Sequence, residues 1–207
     1  MSHNHQHSCG HEHDPPPEET SSAQSLYAYI SALQIRTLNE SAPGAGQGII
    51  KSWEERYDTT RVLESDADEQ VIMHIPFSGH VKLKSILLRA PASDQAPRSL
   101  KVFVNRDHLD FDSIAEVKPT EVFELVPYAN ASEISEYPVK VRLFPAVKSL
   151  TLFFDANYGA DATLLWYLGF RGEFTRRSDK PVIAIYEAAA NPADHKVKNQ
   201  MEVSRTV

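Results

Sequence analysis

The stretch Asn157–Phe174 constrains this chain more than any other. It opens on a turn, Asn157-Tyr158-Gly159. It then runs through the most apolar segment of the sequence, Leu164–Phe170, and closes on Arg171-Gly172-Glu173. About seven apolar and aromatic residues between turn signals read as a strand buried on both faces. Such a strand needs a sheet beside it and a packed layer above and below.

The flanking sequence supplies that sheet. Val71–Phe77, Val81–Arg89, Ser99–Asn105, Val122–Val126, Val139–Phe144 and Ser149–Asp155 all read as strands, and Val182–Tyr186 as a last one. Several alternate with a period of two. Val139, Val141 and Leu143 face one way and Lys140, Arg142 and Phe144 the other, and Leu150, Leu152 and Phe154 repeat the pattern. Prolines 76, 91, 97, 119, 127, 138, 145 and 181 fall at strand edges or in connections, where a missing N–H costs least. About eight short strands without helices between them predict an all-β jelly-roll sandwich. The one helix expected is Ser31–Asn39, with Ser31 as N-cap and Leu33, Ile35 and Leu38 as its apolar stripe.

Residues 1–25 form a His-, Pro- and Glu-rich tail with no Val, Leu, Ile, Phe, Trp or Tyr. Such a segment cannot bury enough apolar surface to offset ordering entropy, so it is expected to be disordered. The folded domain is expected over 26–195, with a flexible tail at 196–207. At 207 residues the chain is long enough for one domain with a sizeable core. A single cysteine, Cys9, allows no intrachain disulfide. No apolar leader and no run of about 18 apolar residues is present, so neither secretion nor membrane insertion is expected. The net charge is −7, of which the tail's Glu12, Asp14, Glu18 and Glu19 contribute −4, leaving −3 on the rest. A mildly acidic body without a basic patch argues against nucleic acid and anionic membranes as partners.

Five groups of residues could carry function. His3, His5, His7, Cys9, His11 and His13 are suitable soft-metal ligands, although their spacing matches no structural zinc site. Glu64, Asp66, Asp68 and Glu69 could hold calcium or face a partner, or simply bond backbone amides of a loop. Asp194-His195 has the residue types of a hydrolytic dyad, but no Gly-x-Ser-x-Gly supplies a nucleophile, and His195 is expected to make a turn hydrogen bond or a packing contact. Arg171 between two glycines can grip a carboxylate, with Asp161 or Glu187 as internal candidates. Trp53 with Arg56 has the composition of a binding hot spot, and a buried Trp53 is the other reading. The partner-contact candidates are therefore Trp53, Arg56, Asp66, Asp68, Arg171 and His195. No catalytic constellation and no cofactor is expected.

Several segments resemble the PITH domain family. They are Leu38-Asn39-Glu40-Ser41, Glu64–Glu69, Ile75-Pro76-Phe77 with Val81-Lys82-Leu83-Lys84, Asn157–Asp161, Leu168-Gly169-Phe170-Arg171-Gly172-Glu173 and Glu187–His195. They occur in order across roughly residues 26–195. The family takes its name from the domain that follows thioredoxin in a thioredoxin-like protein and contacts the proteasome. The resemblance implies a galactose-binding-like jelly roll. It also implies a cytoplasmic and nuclear location and association with the proteasome regulatory particle. This chain has no thioredoxin domain and no Cys-x-x-Cys, so thiol–disulfide activity is not implied. The expectation is a monomeric, non-enzymatic protein-interaction module. Fold analogy alone suggests a sugar-like small ligand instead, and the His-rich tail suggests metal binding. An aromatic and polar cluster in a concave pocket would favour the ligand, and a flat exposed patch the protein partner.

Overall fold

The computed structural model describes residues 24–126 and 133–175. Nine strands are described: β1 (Arg36–Leu38), β2 (Leu63–Glu64), β3 (Val71–Arg89), β4 (Pro97–Val104), β5 (Glu121–Glu124), β6 (Ser135–Pro138), β7 (Val147–Asn157), β8 (Leu164–Leu165) and β9 (Tyr167–Thr175). Two four-residue helices, α1 (Ala45–Gly48) and α2 (Phe111–Ile114), lie in connections. Every strand pairing is antiparallel.

β3 organises the sheet. Its 19 residues fuse the two strands expected at Val71–Phe77 and Val81–Arg89. Pro76 does not end it, because pairing with β7 loses register between Pro76 and Val81, where no ladder N–H is needed. The first half of β3 pairs with β1 (Arg36 opposite His74) and with β7 (Thr151 opposite His74), and the path continues through β4 to β5. The second half pairs with β9 (Phe170 opposite Ile86) and with β6 (Glu136 opposite Leu87). Two groups of strands thus share one spine.

Alternation along β3 buries Val71, Met73, Ile75, Phe77, Val81 and Leu83. A second irregularity between Leu83 and Ser85 resets the phase, so that Ile86 and Leu88 join the same core. Phe144, Phe154, Leu165 and Phe170 fill it. The other face of the first group carries a smaller cluster of Ile72, Phe103, Ile114 and Phe153, to which α2 contributes Ile114.

Three expectations change. Ser31–Asn39 is not a helix: a single 3-10 turn, Ala32–Gln34, leads into β1. Ser31 makes no side-chain cap bond, and Leu33 is 93% exposed while Ile35 packs on the main core, so the expected stripe does not share one buried face. Val139–Phe144 is not a strand. β6 takes Ser135–Pro138 instead, and a 3-10 turn follows at Val141–Leu143. The Lys140 N–H donates to the Glu121 carboxylate rather than to a ladder, which ends the pairing. The apolar run 164–170 has the burial expected, with Tyr167–Phe170 buried on both faces, but it is split at Trp166 into β8 and β9. The strand expected at Val182–Tyr186 lies outside the described residues. Among the described residues no helix is long and apolar enough to cross a membrane.

Candidate functional site

The segment between α1 and β2 has little regular structure, yet one buried cation fixes it. Lys51 is 1% exposed. Its ammonium donates to the carbonyls of Asp58 (2.7 Å), Arg61 (2.8 Å) and Trp166 (2.9 Å). Three N–H groups meet three acceptors, so the ammonium is fully satisfied. Burial holds its pKa below the usual lysine value, opposed by the Asp58 carboxylate 3.7 Å away. Asp58 is held down to about 2, chiefly by the Thr60 N–H and hydroxyl. A loop remote in sequence is thereby tied to Trp166, at the junction of β8 and β9.

On this base the side chains form an alternating ladder of rings and guanidiniums. Arg89 lies 4.8 Å from the Trp166 ring and 5.5 Å from the Tyr57 ring. Arg56 lies 4.5 Å from Tyr57 and 4.1 Å from Trp53. Arg171 lies 4.9 Å from Trp53 and pairs with Glu136 at 2.8 Å. Ser85 donates to the other Glu136 oxygen at 2.5 Å. Each cation–ring contact contributes about 0.5–1 kcal/mol when exposed and more when desolvated.

The ladder borders a groove of about 560 Å³ lined by Trp53, Arg56, Tyr57 and Arg171, with apolar lining from Leu87 and Ile134 and acidic lining from Glu133 and Glu136. A second concavity of about 380 Å³ adjoins it at Arg171 and Glu136 and includes Lys84 and Ser85. Arg56 donates to the Trp53 carbonyl, while its Nε is buried without a hydrogen-bond partner among the described residues. Among the described residues that line it, the groove has no His, Cys or Lys. It is suited to recognising a ligand with planar or anionic groups.

The glycines around Arg171 set its position. A Cβ on Gly172 would lie 2.2 Å from the Lys82 carbonyl oxygen, and one on Gly169 would lie 2.4 Å from the Tyr167 hydroxyl. Only glycine lets β9 approach β3 this closely while Tyr167 packs along it. Burial pushes the Tyr167 pKa up to about 12, so the ring is a neutral packing element.

The structure brings Trp53, Arg56 and Arg171 together. It pairs Arg171 with Glu136 of β6, not with Asp161. Trp53 is half-buried, between the two readings of the sequence. Asp66 and Asp68 do not line the groove. Their loop is tied to Asn39, which sits in the left-handed region at φ 66°. Asp68 accepts from the Asn39 side-chain amide (2.8 Å) and from the Gln70 N–H (3.0 Å), and the Ala67 N–H donates to Asn39 Oδ1 (2.9 Å). Among the described residues no group of three or more His, Cys, Asp or Glu could hold a metal ion. His195, Glu187 and the tail candidates His3, His5, His7, Cys9, His11 and His13 lie outside the described residues. Sequence reading missed Tyr57, Arg89, Trp166 and Glu136. Trp166 carried a signal, as one of only two tryptophans in the chain.

Comparison with known proteins agrees with this architecture. A PITH domain model matches residues 16–190. A PITH domain-containing protein of Schizosaccharomyces pombe is 42% identical over 201 residues, covering 97% of each chain. PITH domain-containing protein 1 of Homo sapiens is 39% identical over 203 residues, covering 95% of each. Among solved structures, the CBM32-1 and CBM32-2 domains of Clostridium perfringens ZmpB, in complex with GalNAc, superpose with a TM-score of 0.50 at 10% identity. That match covers 72% of this chain and 35% of the ZmpB chain. The fold is the galactose-binding-like jelly-roll β-sandwich expected from the sequence. The relatives' names carry no reaction, and membership supports a protein-interaction module. By sequence match over most of its length, this chain belongs to the PITH domain family.

Proposed function

We propose that this protein is a non-enzymatic module that docks on a protein partner through the Trp53–Arg56–Arg171 groove, and that the partner is the proteasome regulatory particle. The observation that carries the reading is the ladder itself. Trp, Tyr and Arg are the residues that dominate binding hot spots, and here they converge from three separate chain segments. Arg56 has no carboxylate partner among the described residues, so an acidic group on the partner would complete it. The family resemblance supports the choice of partner. On this reading the protein is a monomer of the cytoplasm and nucleus.

The test is co-purification with a C-terminal tag at physiological salt. Regulatory-particle subunits should be recovered with the wild type and lost with Trp53→Ala plus Arg56→Glu, while deleting residues 1–14 leaves recovery unchanged. Absence of the particle from the wild type, or its retention by the double variant, would overturn the reading.

The groove's concavity supports a second reading, a small carbohydrate-like ligand. Against it, two guanidiniums already lie within 5 Å of the Trp53 ring, where a sugar would stack. Calorimetric titration with GalNAc and galactose separates the two: heat of binding that Trp53→Ala removes would favour the sugar.

A further inference from the structure

A third concavity lies apart from the ladder. It has a volume of about 260 Å³ and is formed by β1, the first half of β3 and the loop before α2. Its apolar lining is Leu38, Ile72 and Leu109. Its polar lining is Arg36, His74 and Asp107, with His108 and Asp110 beside them.

Hydrogen bonds around His74 fix which ring nitrogen carries the proton. The Thr151 hydroxyl donates to the Arg106 carbonyl at 2.5 Å, so its oxygen is left to accept. His74 Nδ1 lies 3.3 Å from that oxygen and is therefore the N–H donor. The Nε2 lone pair then faces Asp107 Oδ1 at 4.0 Å. Asp107 is held in place by the Ser149 hydroxyl, which donates to the same oxygen. Burial lowers the His74 pKa, which keeps the ring neutral near neutral pH. Two acceptors, one of them anionic, thus converge 4.0 Å apart on one side of the cavity. An ammonium has diverging N–H groups that reach both at ordinary hydrogen-bond length, and it carries the charge that the carboxylate lacks. Arg36, whose guanidinium also donates to the Asp107 carbonyl, adds a cation to the same lining. The lining therefore presents an anion, a cation and an apolar surface together.

We propose that this cavity is a binding site for a small zwitterion, a free α-amino acid with an aliphatic side chain. The ammonium bridges His74 Nε2 and Asp107, the carboxylate meets Arg36, and the side chain covers Leu38, Ile72 and Leu109. At about 260 Å³ the cavity has room for a leucine-sized ligand.

The experiment is titration of the full-length protein with L-leucine, N-acetyl-L-leucine and galactose, followed by amide NMR shifts and calorimetry. Leucine should shift the amides of residues 36–38, 72–74 and 107–110, and N-acetylation should weaken binding by ~10-fold or more. Asp107→Asn should weaken leucine by a similar factor without changing its weaker response to the acetylated form. The comparison of ligands on the wild type stands even if that variant fails to fold. Three results would each overturn the proposal: no localised shifts at ~10 mM leucine, equal binding of the acetylated ligand, or binding of galactose in place of leucine.

Discussion

Arg171 and Glu136 reach across β3 from opposite edges and meet at 2.8 Å. Arg171 stands directly opposite Ser85 in the β9 pairing, while β6 brings Pro138 opposite Ser85 from the other side. The Ser85 hydroxyl then donates to the carboxylate between them. One buried guanidinium, one carboxylate and one hydroxyl so link three strands at the end of the ladder. Glu136→Gln keeps the shape and removes the charge. It should lower stability by ~1–2 kcal/mol, since charge-assisted hydrogen bonds exceed neutral ones by about that much and Glu136 is part-exposed. Urea denaturation measures this, and an unchanged midpoint would count against a structural role for the pair.

Gly172→Ala tests the close approach of β9 to β3. Its Cβ would meet backbone, the Lys82 carbonyl oxygen at 2.2 Å, which no side-chain rotation relieves. The expected loss is ~1–3 kcal/mol or more, as for overpacking generally. Gly48→Ala is the control, because its Cβ makes only ordinary contact with Arg61 Cβ at 3.6 Å. Thermal melts of both variants should separate them clearly.

Lys51→Met replaces the ammonium by an apolar group of similar length. Three part-buried carbonyls then lose their donor, at up to ~1–3 kcal/mol for each group that water does not reach. The loop carrying Trp53 and Arg56 should loosen. Hydrogen exchange over residues 52–61 should rise, and partner recovery should fall along with it. Unchanged exchange would show that the loop is held by something other than this cation.

The pH response should locate His74. Burial lowers its folded pKa below 6.5, Asp107 opposes this, and Arg36 and His108 reinforce it. Below 6.5 the unfolded chain therefore takes up a proton that the folded chain resists. Stability from this group is full above that value and falls as pH drops toward the folded pKa. The wild type should lose more melting temperature than His74→Gln between about pH 7 and about pH 5. Parallel slopes for the two proteins would remove His74 as the source.

The sequence by itself determined the all-β class, because alternation and turn chemistry are local and repeat along β3, β4 and β7. It also marked Trp53, Arg56 and Arg171 as site candidates from residue type alone. It misread Ser31–Asn39 and Val139–Phe144, where a local pattern competes with tertiary partners: Leu33 finds nothing to cover it, and the Lys140 N–H finds Glu121. Only the tertiary structure decided that β3 is one strand, since Pro76 is tolerated by a register shift that depends on β7. Only the tertiary structure joined Trp53 to Arg171 and Lys51 to Trp166. Those contacts span more than a hundred positions of chain, and their geometry is set by how the strands pack rather than by any spacing along the sequence.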